Sequence, residues 1–393
     1  EPTESVAAIQ STGTKLAAIR PGYVLLNPGP VNTSTRVKSA YLHCDVCHRE
    51  PEFSEDLVRL TGKLRRIFRG GPEHRVVVLT GSGTAAMECA IASAVPEDGK
   101  ILVIDNGAFG ERLAEIATLH GMAIVHLRYA YGEQVVVDDV RALLAADRDI
   151  AVVAMVHHET SVGLLNPVGE IGSLCRQHGC LLLVDAVSSL GAEDVDVVRD
   201  RIDICWSSAN KCLHSVPGVS FLCVAPRVWP RIARIKPRVF YLDLKRYSRY
   251  LEDQGQTPFT PAVATIYALE AACDEYLEDG REMRLALYRS RNNKLREGLQ
   301  RLGFGFFTET GVESHSVLTV RLPDGIPFSS LYEGMKRSGF VIYDCKSPLK
   351  GQYFQIANMG ELPEGTLDAF LEELEARLSE IRAVDRAARV AFQ

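Results

Sequence analysis

Lys211 and Asp185 are the two side chains whose surroundings set them apart. Lys211 follows Ser207-Ser208-Ala209-Asn210, just past an apolar stretch, and Asp185 closes the apolar run Leu181-Leu182-Leu183-Val184. Desolvation beside apolar segments lowers a lysine's pKa, so its amine can attack an aldehyde. An acid at a strand end can pair with a protonated pyridine nitrogen and keep such a ring an electron sink, but it can equally be a plain helix cap. Most single lysines are solvated surface residues, so neither residue identifies the chemistry alone.

Order makes the case. Thr80-Gly81-Ser82-Gly83-Thr84 follows an apolar run and opens a helical one. Backbone N–H groups at a helix start, with the Ser82 and Thr84 hydroxyls, form a phosphate cradle. The lysine of a nucleotide-binding P-loop is missing, which argues against a nucleotide triphosphatase. Asn106-Gly107-Ala108-Phe109 comes next, and Phe109 could stack on a flat ring or merely cover a core edge. Cradle, aromatic, acid and hydroxyl-flanked lysine thus follow successive apolar runs. Together they suit a phosphorylated pyridine aldehyde, pyridoxal 5′-phosphate (PLP).

The elements that must position these residues are legible in the alternation of the chain. Strands are expected at 76–79, 101–105, 123–127, 150–157, 181–185, 202–207 and 219–224, with helices at 85–94 and 111–120 between them. Strand–helix alternation, with several runs apolar throughout, predicts an α/β fold with a mostly parallel, doubly wound sheet, whose ligand lies beyond the carboxyl ends of the strands. After helices at 267–277 and 281–302, strands at 316–322, 339–343 and 353–356 and a helix at 367–381 predict a smaller α+β unit. The expected organisation is an N-terminal arm (1–20), a large domain (21–275) and a C-terminal domain (276–393).

The 393 residues are 46% hydrophobic and 24% charged, with a net charge of −6. That composition suits a soluble globular protein and gives no basic surface for nucleic acid. No apolar run approaches the length of a membrane span. The ten cysteines lack framework spacing, which fits thiols kept reduced and a cytoplasmic location. Cys44-Asp45-Val46-Cys47-His48 has the spacing of covalent haem attachment but stands alone, so a loop with two thiols is expected, and no metal site.

Over nearly the whole chain, from residue 25 to residue 361, the sequence resembles class V fold-type I PLP aminotransferases. It is most similar to the 2-aminoethylphosphonate–pyruvate transaminases and more distantly to alanine–glyoxylate aminotransferases. The resemblance is carried by Leu25-Leu26-Asn27-Pro28-Gly29-Pro30, residues 154–167, Val184-Asp185-Ala186-Val187-Ser188-Ser189, residues 207–212 with Val216-Pro217-Gly218, Phe259-Thr260-Pro261 and residues 339–343. It implies that Lys211 holds PLP as a Schiff base and moves the substrate proton. It further implies that Asp185 binds the pyridine nitrogen, Phe109 and Val187 pack the ring faces and Thr160 bonds the ring hydroxyl. Ser82, Gly83, Thr84 and Asn210 would hold the phosphate. Thr260 would reach the phosphate of a second subunit, so a homodimer with shared sites is expected. Asn27, Gly29, Arg49, His158 and Gln355 are the candidate substrate contacts.

One departure limits what the resemblance implies. Where these transaminases carry an arginine for the substrate carboxylate, this chain has Gln355. Glutamine lacks the charged bidentate fork that fits a carboxylate. Either another cation (Arg49, Lys346 or Lys350) takes the anion, or the substrate lacks a carboxylate there, or the reaction is no longer transamination. PLP chemistry makes decarboxylation and β- or γ-elimination reachable alternatives, and a sensor that keeps the cofactor without turnover is a third. His157, His158 and His214 are expected near the site, as polar lining or as a second proton-transfer group; Tyr343, Tyr353 and His48 could shape its entrance.

Overall fold

The computed structural model describes residues 22–43 and 45–391. The expected arm at 1–20 and Cys44 lie outside the described residues, and Cys47 is exposed.

Seven strands form the central sheet: β1 (Arg75–Thr80), β2 (Lys100–Asp105), β3 (Ala123–Arg128), β4 (Ile150–Val156), β5 (Leu181–Asp185), β6 (Ile204–Ser208) and β7 (Val219–Val224). Their spatial order is β1-β7-β6-β5-β4-β2-β3. Only β7 runs against the others, pairing antiparallel with β1 and β6. The β-branched runs read as strands in the sequence are these strands, within two residues at each end. β4 and most of β5 and β7 are apolar because helices cover both faces there, whereas the edge strand β3, with His126 and Arg128, is only partly covered. One core, with Leu182, Val184, Phe221 and Phe53, lies on one face; a second, with Leu183, Trp206, Ile91 and Leu113, lies on the other.

Helix Gly83–Ala94 leaves β1 and helix Ala108–Leu119 leaves β2. The turns after β1, β2, β5 and β6 therefore open at the same end of the sheet, and these turns hold the residues singled out by type. A helix at Pro51–Ile67 joins the first face through Phe53, Leu57, Leu60, Leu64 and Ile67, a regular amphipathic stripe.

The C-terminal unit is α+β, as expected. Strand Tyr353–Ala357 lies between Val317–Arg321 and Tyr343–Asp344 in an antiparallel sheet, backed by helices Phe328–Arg337 and Thr366–Ala391. Residues 24–26 also belong to this packing. Val24–Leu25 pairs in parallel with Phe340–Val341, the Leu26 carbonyl accepts from the Ala357 N–H, and Leu26 is fully buried in the C-terminal core.

Candidate active site

Beyond the carboxyl ends of the strands lies a cavity of about 150 Å³. Its lining brings together Ser82, Gly83 and Thr84 from the turn after β1, Phe109 from that after β2, Asp185 and Val187 from β5, and Asn210 and Lys211 from β6, with His158 and Thr160 beside them. A larger groove of about 730 Å³ near the strand starts is lined by Glu97, Asp98, Arg231, Arg234 and Lys236 and contains none of them. Chemistry, not volume, distinguishes the first.

Asp185 is 5% exposed, and burial pushes its carboxyl up to about 6. The Val187 N–H, donating to Oδ1 at 2.8 Å, and the cations Lys211 and Arg112 pull the other way. The Lys211 amine is pushed down to about 8, chiefly by burial. Cys212 and Asp185 raise it, while the charges of Lys346 and Arg112 lower it further. Its Nζ donates to the Pro28 carbonyl. Gly29 passes so close that a Cβ there would lie 3.3 Å from the lysine Cδ and Cε. The segment Asn27-Pro28-Gly29 thus packs directly on the nucleophile.

The phosphate-cradle end is open to a ligand. Ser82 caps the helix that begins at Gly83 with its backbone carbonyl and makes no side-chain cap bond. A Cβ at Gly83 would stand 2.7 Å from Val187 Cγ2, so glycine is needed where this turn meets the β5 turn. His158 is buried with Nδ1 3.0 Å from the Ser188 carbonyl, and its Nε2 has no partner. Thr160 donates its hydroxyl to Ser188 Oγ at 2.6 Å. An acid, a low-pKa lysine, an aromatic, a branched aliphatic and a hydroxyl-rich helix start in one cavity are the donor set that a flat phosphorylated pyridine aldehyde requires.

Several expected residues lie elsewhere or are otherwise engaged. The Arg49 guanidinium is held by Gln256 Oε1 and the carbonyls of Thr257 and Pro258 at 2.8–3.2 Å, so it braces a loop. Thr260 is exposed, near that loop and outside the cavity lining. His214 is bound to the Tyr288 hydroxyl and Arg284 in a buried network, also outside the lining. Lys350 lies 3.7 Å from Asp344, whereas Lys346 Nζ stands 5.7 Å from the Phe109 ring centre.

Gln355 is 2% exposed, and its amide nitrogen donates to the Thr160 carbonyl at 2.7 Å and to Thr319 Oγ1 at 3.1 Å. A carbonyl can only accept, so the amide orientation is fixed and both its protons are committed.

Two residues escaped the sequence reading. Arg112 lines the cavity, donates to Thr84 Oγ1 at 3.1 Å and lies 4.8 Å from the Phe109 ring centre. Its place three residues after Phe109 on a helix was the available signal. Glu159 is fully buried behind Phe109, and burial pushes its carboxyl up to about 7.

The Aminotransferase class-V family model matches residues 34–331. An uncharacterized aminotransferase of Methanocaldococcus jannaschii is 34% identical over 91% of this chain and 93% of its own length. A 2-aminoethylphosphonate–pyruvate transaminase of Burkholderia ambifaria is 36% identical over 88% of this chain and 93% of its own. Among solved structures, an alanine–glyoxylate aminotransferase from Nostoc sp. superposes with a TM-score of 0.87 at 27% identity, covering 95% of this chain and all of that one.

Proposed function

This chain belongs to the class-V aminotransferase family and is a PLP-dependent transferase; from that premise we propose that it moves an amino group from a small amine or amino acid through Lys211, in the manner of 2-aminoethylphosphonate transaminases. The observation that carries the reading is one cavity holding both Lys211, with its depressed amine pKa, and the buried Asp185. When bound, PLP supplies an electron sink for the carbanion formed at the substrate's α-carbon.

Each residue's task follows from its place. The Asp185 carboxylate holds a proton at the pyridine nitrogen, and its burial strengthens that pair. Lys211 would hold the cofactor through its Nζ, and that amine, oriented by the Pro28 carbonyl, would move the proton at the substrate carbon. Phe109 and Val187 pack the ring faces and exclude water. Thr160 bonds the ring hydroxyl, and Ser82, Gly83, Thr84 and Asn210 hold the phosphate. Asn27, Gly29 and His158 border the substrate. The exposed Thr260 suits contact with a second subunit, and we propose a homodimer with shared sites. The described residues include no helix long and apolar enough to cross a membrane. We propose a cytoplasmic enzyme, with the large domain at 21–275 and the small one at 276–393.

The substrate anion, where there is one, is assigned to Arg112 and Lys346. Gln355 has no free donor for it. The same observation favours a second reading, a PLP lyase or decarboxylase acting on an amino-acid conjugate. A carboxylate that is to leave should avoid strong ground-state pairing.

Visible absorbance of the purified protein, titrated with candidate amines and then with ketoacids, tests the proposal. Amino transfer predicts a spectrum that an amine converts and a ketoacid restores. Release of CO₂, ammonia or a thiol, with no ketoacid-dependent return, would replace it with the second reading.

A further inference from the structure

Glu159 takes no part in the chemistry above, yet its surroundings are the most specific in the site. It closes the short strand His158–Glu159, between two residues that line the cavity, His158 and Thr160. Its Oε2 accepts the N–H groups of Phe109 and Gly110, each at 3.1 Å. Its Oε1 accepts the Ser161 hydroxyl at 2.5 Å and the Ser161 N–H at 3.2 Å. The Ser161 hydroxyl oxygen in turn accepts the Ala108 N–H at 3.1 Å. Residues 159–161 therefore saturate three successive donors at the start of helix Ala108–Leu119.

Two glycines show how little slack the arrangement has. A Cβ on Gly107 would collide with Glu159 Cγ, and one on Gly110 would lie 2.8 Å from the Asp105 backbone. Phe109 is clamped between them. The carboxylate thus joins the backbone of the aromatic to the segment that carries the Thr160 hydroxyl, in the turn directly after the strand His158–Glu159.

We propose that Glu159 is a positioning residue that fixes Phe109 relative to Thr160, and through that register seats the cofactor ring. This rests on the reading of Phe109 and Thr160 as ring contacts. Glutamine at 159 keeps size and shape but cannot accept with its nitrogen, so either the Phe109–Gly110 pair or Ser161 loses its acceptor. A carboxylate bonded by several N–H groups has no neutral equivalent of similar strength.

The test is a double-mutant cycle on cofactor affinity. Apoproteins carrying Glu159→Gln, Phe109→Leu or both are titrated with PLP, and the visible circular dichroism of the saturated forms is recorded. Glu159→Gln should weaken PLP about tenfold and diminish the visible dichroism. In the Phe109→Leu background the same change should cost less than about threefold, because residues acting through one another couple. Equal cost in both backgrounds, or none in either, would overturn the positioning role while leaving the ring-contact reading intact. Full affinity of Phe109→Leu alone would sink that reading instead. Should Glu159→Gln fail to fold, Ser161→Ala takes its place in the cycle: coupling with Phe109→Leu supports the proposal and additivity overturns it.

Discussion

The Gln355 side chain reaches 2.7 Å across to the Thr160 carbonyl, tying the middle strand of the C-terminal sheet to the rim of the cavity in the large domain. This bond does the work of a strut, and with Thr319 it consumes both amide protons. Gln355→Arg is expected to raise turnover of 2-aminoethylphosphonate with pyruvate at least about tenfold, since a charged fork for a carboxylate typically contributes 2–5 kcal/mol. Little gain, in an enzyme already efficient with that pair, would show that Gln355 does not mark a different substrate. The same change should lower apoprotein stability by about 1–3 kcal/mol by breaking the strut and burying a charge, which thermal or urea melts would register.

Lys211→Ala removes the only amine lining the cavity among the described residues and should cut turnover by about 10²–10⁴-fold. The cradle residues and Asp185 remain, so PLP should still bind, without attachment to the protein. Borohydride reduction followed by mass measurement distinguishes the two: wild type retains the cofactor mass and the variant does not.

The depressed amine of Lys211 has a pH signature with a definite sign. Its folded pKa, about 8, lies below the ordinary lysine value of 10.5. The folded apoprotein therefore gives up this proton before the unfolded chain does. Stability linked to Lys211 is present above the unfolded value and is lost as pH falls through about 8. Comparing apoprotein melting temperatures of wild type and Lys211→Met isolates this contribution. The methionine variant should gain most relative to wild type below about pH 8 and progressively less toward pH 10. A difference independent of pH would contradict the depressed pKa.

Gly83→Ala places a methyl group 2.7 Å from Val187 Cγ2. Overpacking of this kind typically costs about 1–3 kcal/mol. Both residues border the cavity, so the strain should appear as weakened PLP binding more than as a lower apoprotein melting temperature. Fluorescence or absorbance titration with PLP checks the first and calorimetry the second. A melting loss with unchanged affinity would place the strain outside the site.

Much of this molecule was written in local pattern. β4 is apolar at every position, and β5 and β7 at all but Asp185 and Ser220, because both their faces are covered, and such apolar runs are the plainest strand signal. The four turns at one end of the sheet were legible for the same reason, since parallel connections bring successive strand ends together. The helix at Pro51–Ile67 was not identified, although its buried residues 53, 57, 60, 64 and 67 keep helical spacing. It stands before the alternating strands, outside the strand–helix repeat that makes the other elements legible.

The sequence determined the sheet, the helices after β1 and β2, the family and the order of cradle, aromatic, acid and lysine, because each depends on residue type within a few positions of its own strand. Tertiary structure decided which polar groups remain available, because that depends on partners far along the chain. Arg49 is spent on carbonyls more than 200 residues away, Gln355 on Thr160 and Thr319, and His214 on Arg284 and Tyr288. Arg112 and Glu159, unremarkable in sequence, gain their places only when the turn after β2 closes against the hairpin at residues 158–165. A hydrogen-bond donor serves a ligand only while no protein acceptor holds it, and that competition is settled in three dimensions.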